Sequence, residues 1–135
     1  MSRIVKWGFH FGNPKQPIIG KNVTMSGCDE AYPIFLDCQE QITIEDDVFM
    51  GHGVKILTGS HNYEKFGQER QTTLTPKPVT IKKGAWIASF ALILPGVTIG
   101  EHAVVGAGSV VTHDVAPYTL EAGNPCKFVK NIPHE

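Results

Sequence analysis

The sequence predicts an all-β chain wound into a parallel β-helix of triangular coils. Three observations carry that expectation. Aliphatic side chains recur every six residues along most of the chain. Ile and Val, 12 of each, far outnumber the 6 Leu. The repeat has no trace of the roughly 3.6-residue period that an amphipathic helix needs.

The repeat is clearest from Ile81 onward: IKKGAW, IASFAL, ILPGVT, IGEHAV, VGAGSV, VTHDVA. Its first position holds Ile81, Ile87, Ile93, Ile99, Val105 and Val111, and its fifth holds Ala85, Ala91, Val97, Ala103, Ser109 and Val115. The same frame runs through IEDDVF, MGHGVK and ILTGSH from Ile44, Met50 and Ile56, with a fainter IGKNVT from Ile19. Six residues suit a short strand plus a corner. The long first side chain fills the coil centre and the small fifth one fits where the walls converge. Three units close one coil, and coils stack by parallel pairing so that each touches only its neighbours. β-branched Ile and Val suit this packing better than Leu. An ordinary sandwich would place turn clusters every 8–12 residues instead.

Breaks in the period mark the remaining parts of a single domain, 1–135. Residues 1–17 lack the repeat and are expected to cap one end of the stack. Residues 25–43 keep apolar spacing but carry an insertion. After His61 the chain leaves the frame and rejoins it near Val79, so 62–78 is expected to protrude as a polar loop. Excursions of this length more often carry function than mere connection. Residues 117–135 form a C-terminal tail, with a turn at Gly123-Asn124-Pro125 and a basic piece bearing Lys127 and Lys130 on one side.

Composition excludes several classes. With 12 Lys+Arg against 13 Asp+Glu, the net charge is −1, which supports neither a nucleic-acid arm nor an acidic tail. Cys28, Cys38 and Cys126 are odd in number and form no C-x-x-C pair, so neither a disulfide framework nor a zinc ribbon is expected. No apolar run reaches the ~18 residues of a membrane span, and the N-terminus lacks a signal-peptide core. The expectation is a soluble, reducing, cytoplasmic location with no membrane partner.

The segments TGSH at 58–61, KPVTI at 77–81, WIASFALILPGVTIG at 86–100, VVGAGSVVTHDV at 104–115 and EAGNPCKFVKNI at 121–132 resemble the hexapeptide-repeat acyltransferases. The likeness is greatest to the maltose and galactoside O-acetyltransferase branch and the related polysaccharide O-acetyltransferases. It implies a left-handed helix, against the usual right-handed crossover rule. It also implies a homotrimer with active sites between subunits, acetyl-coenzyme A as donor and a carbohydrate acceptor.

Acetyl transfer to a hydroxyl needs a base, donors for a developing oxyanion and a cleft that holds both substrates. His61 stands where a repeat strand hands over to the excursion, and the resemblance makes it the general base; histidine suits the task because its pKa lies near neutrality. On the donor side the resemblance implies Ser89 and Ala107 along the pantetheine arm. It puts Thr112 near the nucleotide end, Lys127 and Lys130 facing the phosphates, and Trp86 on the cleft wall. Relatives often carry arginine where Lys127 and Lys130 stand, and lysine keeps the charge but loses the bidentate fork. Asp37 and Leu74 are the acceptor-side candidates, and Phe66 on the excursion is a further one. His52, His102 and His113 fall at corners, and His10 and His134 near the termini.

Three other functions compete with this one. Transfer to an amino-sugar nitrogen would use the same base and cleft. A γ-type carbonic anhydrase needs three converging histidines on zinc. No I-G-H-x-x-x-x-H occurs, so no metal is expected. A non-catalytic β-helix subunit is the third, against which the intact TGSH stands.

Overall fold

A computed structural model describes residues 5–7, 15–26 and 31–135, the first three by backbone alone. His10, Cys28 and most of the cap expected over 1–17 lie outside the described residues.

Short strands follow the repeat and wrap three faces in turn. The first face holds β2 (Ile18–Ile19), β5 (Ile42–Ile44), β8 (Val79–Ile81) and β11 (Thr98–Ile99). The second holds β3 (Thr24–Met25), β6 (Phe49–Met50), β9 (Trp86–Ile87), β12 (Val104–Val105), β14 (Thr119–Gly123) and β15 (Cys126–Asn131). The third holds β1 (Val5–Trp7), β4 (Ile34–Asp37), β7 (Lys55–Leu57), β10 (Leu92–Ile93) and β13 (Val110–Val111). Among the described residues, every pairing between these strands is parallel except β14 with β15. The coils wind left-handed.

Register explains why position one must be aliphatic. Ile19, Ile44, Ile81 and Ile99 stack in one column. Met25, Met50, Ile87 and Val105 form the second, and Leu36, Ile56, Ile93 and Val111 the third. Apart from Ile19 at the lower rim, all of these side chains are buried. Each large one stabilises the fold by roughly 1.5–3 kcal/mol relative to exposure. The position-five residues Ala85, Ala91, Val97, Ala103, Ser109 and Val115 are buried between them. Ser109 satisfies its hydroxyl by donating to the Gly106 carbonyl at 2.7 Å and accepting from the Gly123 N–H at 3.1 Å.

Corners follow the same period. Gly84, Phe90, Gly96, His102 and Gly108 all adopt left-handed backbone, with φ of 70, 64, 86, 53 and 68°. In these five units the fourth residue turns the chain onto the next face in left-handed backbone, whereas Gly59 and Asp114, the fourth residues of ILTGSH and VTHDVA, do not adopt it.

Defined elements occur within the breaks in the frame. Within 1–17, β1 is a strand in register with β4. The tail is a hairpin in which β15 runs back along β14. The excursion carries a short helix, α1 (Gly67–Thr72), that the strand-only reading did not foresee.

Candidate active site

The excursion has a neck and a head. In the neck, 58–62 pairs antiparallel with 73–77. The Lys77 N–H donates to Thr58 O at 2.9 Å, Thr75 N–H to Ser60 O at 2.8 Å, and Asn62 N–H to Thr73 O at 3.0 Å. His61 and Leu74 face each other in this ladder. The wall of the coil thus continues past β7 into a two-stranded arm. His61 sits on that arm, exposed beyond the corner between the third and first faces.

Asp37 closes β4 directly beneath the neck and is only 9% exposed. One carboxylate oxygen accepts the Gly59 N–H at 3.0 Å, and its carbonyl accepts the Thr58 hydroxyl. Gly59 is needed for this fit: a Cβ there would lie 2.7 Å from the Gln39 amide and 2.8 Å from the Asp37 carboxylate. Asp37 is not among the residues that line the His61 groove, and one oxygen of its carboxylate braces the turn two residues before the histidine.

That groove has a volume of ≈ 520 Å³ and is lined by His61, Tyr63, Lys77, Leu94, Pro95 and Thr112 among others. It follows the corner between the third and first faces. The His61 Nδ1 is 3.0 Å from the Arg70 carbonyl. Thr112 is the one donor-side candidate found here; its hydroxyl lies 3.4 Å from His113 Nδ1. Leu74 is half-buried beside the groove, and Phe66 is not among its lining residues; it is 78% exposed with the Arg70 guanidinium over its ring.

A second groove of ≈ 340 Å³ runs along the corner between the second and third faces. It gathers three of the other candidates, Trp86, Ser89 and Ala107, with Phe49, Gly51 and His52. Trp86 is 46% exposed and stacks on Phe49, ring centroids 6.0 Å apart and nearly parallel. A Cβ on Gly51 would meet the Ser89 backbone nitrogen at 2.7 Å, so glycine lets neighbouring coils close to a shallow shelf there. His52 lies in this groove and His61 in the other, so those two imidazoles do not converge.

Lys127 and Lys130 lie on β15, opposite Ala122 and Leu120. Three residues apart, they would point to opposite sides of a regular strand. The register shift between Leu120 and Glu121 restores the phase and leaves both on the outward side. Glu121 takes the inward position above Val105, only 5% exposed, where its carboxylate pairs with His113 Nε2 at 3.1 Å.

Sequence reasoning missed Tyr63, Lys77 and Arg70. Tyr63 is 80% exposed and lines the His61 groove. Their signal was only their place on the excursion. Phe49 was findable, since it occupies the same sixth position of its unit as Trp86.

The left-handed coil stack carries a histidine arm at one corner and an aromatic shelf at another. Residues 78–113 match the family model described as bacterial transferase hexapeptide (six repeats). The chain shares this repeat with the hexapeptide-repeat acyltransferases. It is 39% identical over 95 residues to the galactoside O-acetyltransferase of Escherichia coli (strain K12), covering 67% of this chain and 44% of that one. Among solved structures it is similar to a maltose O-acetyltransferase from Clostridium difficile 630. There the TM-score is 0.78 at 34% identity, over 87% of this chain and 60% of that one. A hexapeptide-repeat acetyltransferase from Vibrio cholerae O1 biovar eltor, complexed with acetyl-coenzyme A, superposes with TM-score 0.69 at 26% identity, over 88% and 69%. The chain spans between 29% and 45% of the length of the curated relatives it matches.

Proposed function

We propose that the chain is an acetyl-coenzyme A-dependent O-acetyltransferase acting on a hydroxyl of a sugar or saccharide, with His61 as general base. The observation that carries this reading is the neck. It holds an imidazole out over a groove, with its Nδ1 on a backbone carbonyl. A donor-side shelf lies one corner away.

Bound acetyl-coenzyme A would supply an acetyl thioester. His61 takes the proton of the acceptor hydroxyl as its oxygen attacks the thioester carbonyl, and returns that proton to the leaving thiol. Trp86, Ser89 and Ala107 hold the pantetheine arm, with Lys127, Lys130 and Thr112 toward the phosphates. The groove beside Gly51 and Ser89 has a volume of ≈ 340 Å³, and the two lysines share one side of the hairpin.

In this reading the working unit is a homotrimer. His61 and the Ser89 shelf lie at opposite edges of the third face of one chain. A neighbouring copy packed edge to edge brings its shelf to this chain's histidine, and three-fold closure repeats the contact.

Thiol release from acetyl-coenzyme A, followed across a panel of sugars and glycosides, tests the activity. His61→Ala is expected to lower turnover by roughly 10²–10⁴. Full activity in that variant would overturn the mechanism.

A further inference from the structure

We propose that Arg70 is the positioning residue that fixes the tautomer and aim of His61. This rests on the reading of His61 as the base and adds the device that prepares it.

Arg70 acts at both of its ends. Its carbonyl, in the last turn of α1, lies 3.0 Å from His61 Nδ1. A carbonyl can only accept, so the imidazole must carry its proton on Nδ1, which puts the basic lone pair on Nε2. The opposite tautomer would set lone pair against lone pair. The guanidinium folds back over the turn that leads into the helix. Its Nε donates to Lys65 O at 2.6 Å, and one terminal nitrogen donates to Tyr63 O at 3.0 Å. Its carbon sits 5.2 Å from the centroid of the Phe66 ring. One side chain thereby ties down three of the four residues between the neck and α1.

The helix needs such a tie. It has six residues, no side-chain cap at Phe66 and no buried residue. A helix so short is not stable on local bonds alone, and no apolar face anchors it to the coils. The exposed Lys65–Glu69 pair, 3.3 Å apart, contributes little. The fork of Arg70 is the largest set of directed contacts in the head, and it holds in place the carbonyl that faces His61. Lysine could not replace it, because a single ammonium lacks the planar fork that serves two carbonyls and a ring together.

The test is ¹⁵N NMR of histidine-labelled protein at a pH where the imidazole is neutral, with the His61 signals assigned by difference against His61→Ala. Wild type is expected to show Nδ1 protonated and Nε2 bare. In Arg70→Ala the signals should shift toward a mixture of tautomers. Turnover should fall about tenfold or more, the scale of a misplaced catalytic group. The KM for acetyl-coenzyme A should stay unchanged, and added guanidinium ion should restore part of kcat. Arg70→Lys should behave like Arg70→Ala. Phe66→Leu, which removes only the ring under the guanidinium, should move both readouts the same way by less, and serves if Arg70→Ala does not fold. A wild-type His61 protonated on Nε2 overturns the proposal. So does a folded Arg70→Ala with wild-type tautomer and kcat. Because the tautomer is read without turnover, these results stand apart from those for His61→Ala, whose full activity would instead remove the base itself.

Discussion

At the scale of single residues, burial decides which groups are chemically available. Cys38 lies fully buried beside Asp37, and burial first, then the neighbouring carboxylate, push its thiol up to about 11. Burial likewise raises Cys126, with Glu121 adding to the effect and the Ser109 hydrogen bond opposing it. Unfolding returns a thiol to its ordinary range, so the native chain keeps a proton that the unfolded chain gives up. The resulting stabilisation is full below about pH 9 and is lost as pH rises toward about 11. Denaturant titrations across that window should show stability falling, with a shallower fall in Cys38→Ala; an identical slope would remove Cys38 as a cause. His61 was legible in the sequence because the frame breaks immediately after it. Asp37 was legible as a candidate, but only the fold reveals that one of its carboxylate oxygens accepts the Gly59 N–H.

At the scale of elements, the six-residue unit carries separable demands at positions one, four and five. Position four is the most exacting wherever its backbone is left-handed, which costs a residue with a Cβ roughly 1 kcal/mol or more. Gly108 isolates that cost: φ is 68°, and a Cβ there would meet nothing within 4 Å. Gly108→Ala should destabilise by about 1 kcal/mol in thermal or chemical melts, and Gly108→Asn by less. Gly84→Ala should cost more, since its Cβ would also lie 2.2 Å from the His102 ring. Equal losses at 84 and 108 would show that the crowding is relieved freely. Phe90 bears the same conformation without being glycine, and its ring meets Tyr32 edge-on at 5.4 Å. Positions one and five were readable from the sequence because burial selects size and shape. The corners were readable as turns but not as left-handed, since Phe90 and His102 hide the glycine pattern. α1 was unreadable because it has no apolar stripe to announce it, and β1 because so short a strand is recognised only by what it pairs with.

At the scale of the whole molecule, the two grooves lie at opposite edges of one face, which makes the proposed site a property of an assembly. Mixing is the direct check. His61→Ala and Ser89→Trp should each be nearly inactive alone, the second because the indole fills the shelf. Co-expressed and randomly assembled on a closed three-fold ring, they should regain about a quarter of wild-type turnover. One site in four would then pair an intact histidine with an intact shelf. No recovery would mean that one chain supplies both. The helix of the excursion buries no residue. The two strands of the neck meet again where they leave the wall, so β7 and β8 keep their places in the stack whatever lies between them. Evolution can therefore lengthen, shorten or exchange the head without disturbing a single rung. A lineage could change what its enzymes accept while inheriting the scaffold and the donor shelf intact.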